Sequence, residues 1–291
     1  MKLLSYKYKG QVQVGALVAE QIVPAGANLP NHMLDFLAAG EPANQALQKL
    51  INADGKRISL SDVQLLAPIP RPGKLLGVGL NYADHIGETG MTKPEYPTFF
   101  TKQSTCVIAS GDAIHLPPVS DKVDYEGELA FVIGQRCKQV PVDRAHEVIA
   151  GYTICNDVTV RDWQQRTPTW TLGKSFDTHG PLGPWLVTAD EIADPHNLSL
   201  KTWVDQELRQ NGNTSEMIFN CYELIAYLTQ VMTLEPGDVI STGTPAGVGV
   251  KMQPRGYLKP GQTVRIEIEG IGALRNPVIT EPEHFWVSAQ G

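Results

Sequence analysis

Long hydrophobic runs are missing from this chain of 291 residues, and none approaches the ~18 residues that a membrane-spanning helix needs. The first ten residues, MKLLSYKYKG, become polar after two leucines and do not match a secretory signal peptide. Cysteine is scarce, and the four cysteines contain no C-x-x-C pair, which excludes a zinc ribbon and provides no disulfide framework. These absences predict a cytoplasmic protein without disulfides.

Positive charge is also in short supply. The chain has 24 Lys and Arg residues against 31 Asp and Glu residues, a formal net charge of −7. An acidic protein binds nucleic-acid phosphates and anionic membranes poorly, so we expect neither as a partner. A hydrophobic content of 42% with 19% charged residues predicts a folded protein of one or two domains with a sizeable core.

Several well-known enzyme motifs are present only in part. Gly173-Lys174-Ser175 resembles the end of a phosphate-binding Walker A loop, but Pro168 stands where its first glycine is required. Asp177 holds the position of the last glycine of a G-x-S-x-G nucleophile elbow. Gly77-Val78-Gly79 lacks the third glycine of a dinucleotide fingerprint, and no H-E-x-x-H sequence occurs. These departures disfavour an ATPase, a serine hydrolase, an NAD enzyme and a zinc protease.

Short β-rich runs outnumber helical stretches without a regular alternation of the two, and this pattern favours an α+β fold. The segment APIPRPGK predicts a boundary between a small N-terminal α+β domain, residues 1–70, and a larger domain, residues 71–291. The clearest predicted helix is Cys221–Val231, with Asn220 as its cap and Glu223 three residues later. Further helices are predicted at 32–39 and 43–51, and strands at 3–8, 12–18, 75–80, 129–133, 152–160, 185–187, 200–204, 239–242 and 264–269.

Two pairs of glutamates have the spacing that places both side chains on one face of a strand. Around Glu267 and Glu269, apolar and charged residues alternate, which indicates a half-buried strand with a solvated charged face. Glu126 and Glu128 instead run directly into the apolar segment LAFVI, so their strand is predicted to be buried.

Buried carboxylates need compensation, because burying an unpaired ion costs several kcal/mol. Asp157 follows another apolar run and adds a third carboxylate to Glu126 and Glu128. No His or Cys stands next to them in the sequence, so the three carboxylates favour a hard cation, Mg²⁺ or Mn²⁺, over zinc. A hydrogen-bonded or simply exposed acidic cluster is the alternative.

Five segments, taken together and in order, resemble the signature motifs of the fumarylacetoacetate hydrolase family. They are NYADHIGE at 81–88, DYEGELA at 124–130, NDVTVRDWQ at 156–164, LGKSFD at 172–177 and STGTPAGVG at 241–249. The stretch at 169–198 resembles most the group called fumarylacetoacetate hydrolase domain-containing protein 2. One mild departure is Thr159-Val160, where the family usually has Ser-Ala, and it removes no functional group.

The resemblance implies a mixed β-sheet roll, a homodimer and a bound Mg²⁺ or Mn²⁺. It also implies a 2-oxo acid substrate, whose enolate charge a metal stabilises as a Lewis acid. The expected reaction is C–C bond hydrolysis of an acylpyruvate-type substrate. Decarboxylation or keto–enol tautomerisation of oxaloacetate is the enzymatic alternative, because one site of this kind serves several reactions. A catalytically silent metal-binding scaffold dimer is the non-enzymatic alternative.

The resemblance also implies the residues around the metal. Glu126, Glu128 and Asp157 are the implied metal ligands. Lys174 is the implied catalytic lysine, which places a positive charge beside the developing enolate or the substrate carboxylate.

The remaining implied roles concern the proton and the substrate. His85 and Glu88 are spaced i, i+3, so on a short helix the carboxylate can orient the imidazole, and the resemblance makes them the pair that activates water. Arg161 and Gln164 are the implied ligands of the distal part of the substrate. Thr244 is predicted to offer its hydroxyl and its backbone N–H to the C1 carboxylate.

Neighbouring residues have structural interpretations at this stage. Asp162 is a candidate ion-pair partner for Arg161. Lys102 is considered as indirect support of the site and is not counted among its functional residues. The tryptophans at 163, 170 and 185 are interpreted as core or dimer contacts.

Overall fold

A computed structural model describes residues 1–90 and 92–283 of the chain. The helices are α1 (Met33–Ala38), α2 (Gly40–Asn52), α3 (Ala83–Thr89), α4 (Arg161–Gln164), α5 (Thr171–Lys174) and α6 (Cys221–Val231). The strands are β1 (Lys2–Tyr8), β2 (Gln11–Val18), β3 (Gln21–Pro24), β4 (Ile58–Ser59), β5 (Gln64–Leu66), β6 (Leu75–Gly79), β7 (Thr98–Thr101), β8 (Val107–Ile108), β9 (Ile114–Leu116), β10 (Val123–Asp124), β11 (Gly127–Ile133), β12 (Ile149–Asn156), β13 (Thr159–Val160), β14 (Gly180–Thr188), β15 (Ser199–Val204), β16 (Glu207–Asn213), β17 (Val239–Ser241), β18 (Thr263–Ile268) and β19 (Gly272–Thr280).

The largest sheet has the strand order β4-β3-β2-β1-β14-β12-β11-β17-β6-β7. Its strands are mostly antiparallel, but β17 runs parallel to β6, so the sheet is mixed. Residues Lys2 and Leu3 of β1 pair with Val187 and Leu186 of β14. The strands at the N-terminal end therefore continue the sheet that carries β11 and β12.

A second sheet, in the order β16-β15-β18-β19-β9, packs across the first, and the main hydrophobic core lies between them. Strand β18 shows the expected alternation: Val264, Ile266 and Ile268 are buried, while Arg265 and Glu267 form an ion pair of 2.6 Å at the surface. This confirms the half-buried strand with a charged outer face for Glu267, whereas Glu269 lies in the turn that follows the strand.

Strand β11 is buried along its whole length and pairs with both β12 and β17. Gly127, between the two glutamates, is required by this packing, because a Cβ atom there would overlap the hydroxyl of Thr202 on β15. Next to it, β10 pairs with β13, which brings the chain before Glu126 beside the chain after Asp157. The sheet pairing thus gathers carboxylates that are about thirty residues apart.

The predicted α+β fold is confirmed, with mixed sheets and few helices. Helix α6 has the predicted bounds, and Asn220 and Glu223 form its capping box. Strands β16 and β19 were not predicted, because Glu207–Asn213 is strongly polar and Gly272–Thr280 contains a proline. Cys106, Cys137, Cys155 and Cys221 are buried free thiols. No helix among the described residues has the length and apolar character needed to cross a membrane.

Candidate active site

Glu126, Glu128 and Asp157 form one buried cluster, as the sequence predicts. Gly127 pairs with Asn156 across β11 and β12, and the N–H of Asp157 donates to the carbonyl of Glu126 at 2.9 Å. One carboxylate oxygen from each of the three acids lies within 4.8 Å of the others. The ladder between two buried strands therefore fixes the spacing of the cluster.

Glu126 is held by two cations. Its Oε2 accepts from Lys174 Nζ at 2.7 Å, and its Oε1 lies 2.7 Å from Arg161 Nη2. Burial by itself would raise the pKa of Glu126, but Lys174 and Arg161 hold that pKa well below its usual range. Glu126 is therefore ionised in the folded protein.

Glu128 has a different environment. Its Oε2 accepts from the hydroxyl of Ser241 at 2.5 Å and from the N–H of Gly243 at 2.9 Å, and it forms no ion pair with a described residue. Burial, together with the charges of Asp157 and Glu126, raises the pKa of Glu128 well above its usual range. The cluster thus holds a carboxylate that no basic side chain neutralises.

Asp157 is bound by two lysines. Lys174 Nζ lies 2.5 Å from Oδ2, and Lys102 Nζ lies 2.8 Å from Oδ1. Lys102 also donates to the carbonyl oxygens of Lys174 and Val158. Burial would lower the pKa of Lys102, but Asp157 raises it above its usual range, so the side chain is a buried cation. Lys102 is therefore part of the site, which sequence reasoning underrated.

Lys174 reaches the cluster because α5 packs closely on α4. A Cβ atom at Gly173 would overlap the backbone of Gln164, so only glycine permits this approach. The side chain of Lys174 is buried and lies between Glu126 and Asp157. Sequence reasoning placed this lysine at the reacting charge, and the structure places it in contact with two of the implied metal ligands.

Arg161 is anchored by Asp124 and not by Asp162. Its Nε donates to Asp124 Oδ2 at 2.8 Å, its Nη1 donates to Gln164 Oε1 at 3.2 Å, and Asp162 instead accepts from Ser120 at 2.6 Å. The interpretation of Asp162 as the partner of Arg161 is therefore wrong. Asp124 precedes the two glutamates at the same i, i+2 spacing, and that spacing is the signal that could have identified it.

His85 and Glu88 meet on α3, as their spacing predicts. His85 Nδ1 lies 3.2 Å from Glu88 Oε2, and Glu88 Oε1 accepts from the N–H of Gly247 at 3.1 Å. Asp84 Oδ2 accepts from the N–H of Ala246 at 3.1 Å. Two carboxylates thus fasten α3 to the glycine-rich loop, and the contact at Nδ1 leaves His85 Nε2 available for proton transfer.

Thr244 lies in the glycine-rich loop, but its hydroxyl is already used. It donates to the carbonyl of Gly127 at 2.9 Å and accepts from Gln210 Nε2 at 2.8 Å. The expectation that this hydroxyl donates to a substrate carboxylate is therefore wrong in this arrangement. The backbone N–H of Thr244 donates to none of the described residues and is left for that role.

A cavity of about 330 Å³ connects these groups. The predicted site residues that line it are His85, Glu126, Glu128, Arg161, Gln164, Lys174 and Thr244. Trp170 also lines it, packed closely on Gly79 and tilted against Phe100, so this tryptophan forms part of the cavity wall as well as packing on its neighbours. Asp157 and Lys102 lie behind this wall and support it.

The donor set fits a hard divalent cation. All three candidate ligands are carboxylates, and four buried acids, Glu126, Glu128, Asp157 and Asp124, face three buried bases, Lys102, Lys174 and Arg161. One acid is left without a basic partner, and it is Glu128, beside the cavity. Mg²⁺ and Mn²⁺ prefer such oxygen ligands and keep open positions for water or substrate.

Comparison of the chain with known proteins identifies its family. The profile described as "Fumarylacetoacetate (FAA) hydrolase C-terminal" matches residues 74–279, which contain the whole site. The chain belongs to the fumarylacetoacetate hydrolase family. It is 44% identical over 254 residues to "Oxaloacetate tautomerase fahd2, mitochondrial" of Xenopus laevis, covering 87% of this chain and 80% of the relative. It is 45% identical over 252 residues to "Oxaloacetate tautomerase Fahd2a, mitochondrial" of Rattus norvegicus, covering 86% of this chain and 80% of the relative.

Solved structures of this family have the same fold. The fumarylacetoacetate hydrolase of Exiguobacterium antarcticum superposes with a TM-score of 0.87 at 35% identity, covering 97% of this chain and 100% of that one. Maleylpyruvate hydrolase from Sphingobium sp. SYK-6, in complex with manganese(II) and pyruvate, superposes with a TM-score of 0.82 at 29% identity, with the same coverage. The resemblance to the domain-containing protein 2 group is confirmed by the two tautomerases. The chain is therefore a member of a family of hydrolases, isomerases and tautomerases.

Proposed function

We propose that the protein is a Mg²⁺- or Mn²⁺-dependent enzyme that interconverts the keto and enol forms of oxaloacetate. The observation that carries the proposal is a small cavity with a cluster of three carboxylates at one side and an oriented imidazole, His85, at another. About 330 Å³ is at the lower end of ligand cavities and suits a four-carbon acid. The sequence identity of 44% and 45% to two oxaloacetate tautomerases supports the same reaction.

Glu126, Glu128 and Asp157 would hold the cation. When bound, the cation supplies Lewis-acid stabilisation of negative charge on the substrate's 2-oxo oxygen. The N–H of Thr244 can donate to the C1 carboxylate. Lys174 fixes the separation of Glu126 from Asp157 and places a positive charge at the same wall of the cavity.

Tautomerisation moves one proton between C3 and the 2-oxo oxygen. His85 lines the cavity and is oriented through Nδ1, so its Nε2 is the group placed to move this proton. In enol formation Nε2 takes the proton from C3 and gives it to the 2-oxo oxygen, and the reverse transfers restore the keto form. Glu88 stabilises the imidazolium that forms and binds the glycine-rich loop, which keeps the ring in place. No water needs to enter the reaction.

The test follows enol oxaloacetate by its ultraviolet absorbance, with pyruvate measured in parallel. We expect metal-dependent acceleration of enol loss without accumulation of pyruvate. Full acceleration in excess EDTA contradicts the metal-dependent proposal. Stoichiometric pyruvate formation identifies a decarboxylase instead, and the absence of turnover on any 2-oxo acid identifies the silent scaffold.

C–C hydrolysis of an acylpyruvate is the second candidate, because a His–Glu pair at 3.2 Å also suits the deprotonation of a water molecule. Hydrolases of this family with the same fold support it. Cleavage of acetylpyruvate faster than tautomerisation of oxaloacetate would select this reaction.

Assembly and location stay predictions. We propose a homodimer on the family resemblance, and sedimentation equilibrium measures it directly. The cytoplasmic location rests on the sequence alone, whereas both tautomerase relatives carry the word mitochondrial in their names. Fluorescence microscopy of the tagged full chain in its native cells decides between the cytoplasm and an organelle.

A further inference from the structure

The basic side chains that line the cavity differ in how their charge is used. Arg161 is paired with Asp124 and Glu126, and Lys174 is paired with Glu126 and Asp157. Arg255 lines the same cavity but is exposed and forms no ion pair with a described residue. Arg161 and Lys174 are thus neutralised by the acidic cluster, whereas the exposed guanidinium of Arg255 lies at the opening of the cavity.

The backbone that follows Arg255 is fixed at two points. The N–H of Gly256 donates to the carbonyl of Gly249 at 2.8 Å, and the N–H of Leu258 donates to the carbonyl of Val123 at 2.8 Å. Gly256 packs closely against the guanidinium of Arg209 and the sulfur of Met252. The guanidinium of Arg255 therefore extends from an ordered loop.

That loop is tied to the inner site through one acid. Asp124 accepts the N–H of Gly249 at 2.8 Å and the N–H of Val250 at 2.9 Å, and it also holds Arg161. The loop that carries Arg255 is thus connected to the carboxylate cluster through Asp124 and Arg161. Such preorganisation lowers the entropic cost of binding a ligand at the opening.

We propose that Arg255 binds the distal carboxylate of a 2-oxo dicarboxylate and so selects diacids over 2-oxo acids with an uncharged end. This inference rests on the proposed function, in which the C1 and C2 groups face the carboxylate cluster. The distal end then points to the opening, where Arg255 offers a planar fork of donors that matches a carboxylate. Because Arg255 is exposed, we expect a contribution of about 10-fold in affinity, the lower end for a charge-assisted hydrogen bond.

The test uses a pair of inert ligands, malate and 2-hydroxybutyrate of the same configuration, which differ only in a terminal carboxylate or methyl group. Calorimetry in saturating Mg²⁺ measures both on the wild type and on Arg255→Gln. We expect about 10-fold weaker binding of malate to Arg255→Gln and unchanged binding of 2-hydroxybutyrate, with partial recovery in Arg255→Lys.

Two further variants keep the result specific. Lys259→Gln removes an equal charge from the same exposed loop outside the cavity wall, and Lys251→Gln removes the neighbouring basic residue of the wall. An equal loss in Lys259→Gln, a diacid-specific loss in Lys251→Gln alone, or unchanged malate binding in Arg255→Gln overturns the inference. If Arg255 selects malate but wild-type protein fails to accelerate tautomerisation, the proposed reaction fails while the diacid selection stands.

Discussion

Glu126 and Glu128 lie two residues apart and belong to one cluster, yet only Glu126 is ion paired. Lys174 and Arg161 contact Glu126, whereas Glu128 accepts only from a hydroxyl and a backbone N–H. The ion pairs of Glu126 therefore stabilise the metal-free protein, whereas Glu128 gains no such stabilisation, although both glutamates are proposed to bind the same ion.

Replacing each glutamate by glutamine should separate stability from metal binding. Glu126→Gln leaves Lys174 and Arg161 without a shared anion, so we expect the free energy of unfolding of the metal-free protein to fall by about 3 kcal/mol. Glu128→Gln replaces a carboxyl group whose ionised form is disfavoured by burial and by the charges of Asp157 and Glu126, so the metal-free protein should lose no stability and should gain stability at pH values where Glu128 would ionise. Both variants should bind Mg²⁺ more weakly, since a neutral amide is a poorer ligand for a hard cation.

Urea unfolding in EDTA and calorimetric Mg²⁺ titration measure these two properties. The control is Glu267→Gln, which removes a surface glutamate with a side-chain exposure of 40% and should change neither. Equal destabilisation by the two buried substitutions would contradict the difference in charge compensation.

The metal affinity should also depend on pH, because the pKa of Glu128 is raised well above 4.5 and its proton must leave when the ion binds. Affinity should therefore rise with pH from the ordinary carboxyl range up to the raised pKa. The same group makes the metal-free protein less stable over this interval as pH rises, since the unfolded chain loses the proton at lower pH. Calorimetry in buffers of different ionisation enthalpy should detect the released proton. A pH-independent affinity without proton release would show that Glu128 is ionised before the ion arrives.

Local spacing predicts the Glu126–Glu128 and His85–Glu88 pairs, an apolar run before Asp157 adds the third carboxylate, and Lys174 is implied by the family motif in which it stands. Sequence reasoning underrated Lys102, since a lysine after the strand TFFT has no local feature that reveals a buried ion pair with residue 157. The hydroxyl of Thr244 was misjudged for a similar reason: its partners, Gly127 and Gln210, come from distant strands. Long-range partners decide which polar groups remain available, and a single sequence does not display them.

Lys102 offers a direct test of this buried pairing. Its ammonium supports Asp157 and two carbonyl groups, so Lys102→Met should leave Asp157 Oδ1 and both carbonyl oxygens without this donor, with Lys174 as the remaining cation at Asp157. We expect the free energy of unfolding to fall by about 3 kcal/mol. Arg136→Met is the matched control, because its ion pair with Glu235 is exposed and contributes about 0–1 kcal/mol. Urea unfolding of both variants decides the matter. A loss in Lys102→Met no larger than in the control would mean that Lys174 alone is enough to compensate Asp157.

The last prediction concerns the proton that His85 is proposed to move. Removing a general base slows a reaction by roughly 10²–10⁴-fold, so His85→Ala should reduce oxaloacetate tautomerisation by that factor. Mg²⁺ affinity should stay unchanged, since the imidazole is not among the proposed ligands. Spontaneous decarboxylation assisted by the bound ion should fall much less, because it requires an electron sink and no base at C3. His146→Ala, which removes an exposed histidine outside the cavity, is the control.

The informative quantity is the ratio of tautomerisation to decarboxylation, measured at saturating Mg²⁺ in the wild type and in both histidine variants. A ratio that falls only in His85→Ala supports proton transfer by this residue at C3. Glu88→Gln should lower tautomerisation by a smaller factor and shift its pH profile, because Glu88 acts through the imidazole and does not line the cavity. A parallel loss of both activities in His85→Ala would instead show that α3 holds the substrate in place, since the pair also depends on the contact of Glu88 with the N–H of Gly247. The proton would then have to be moved by another group that faces the cavity.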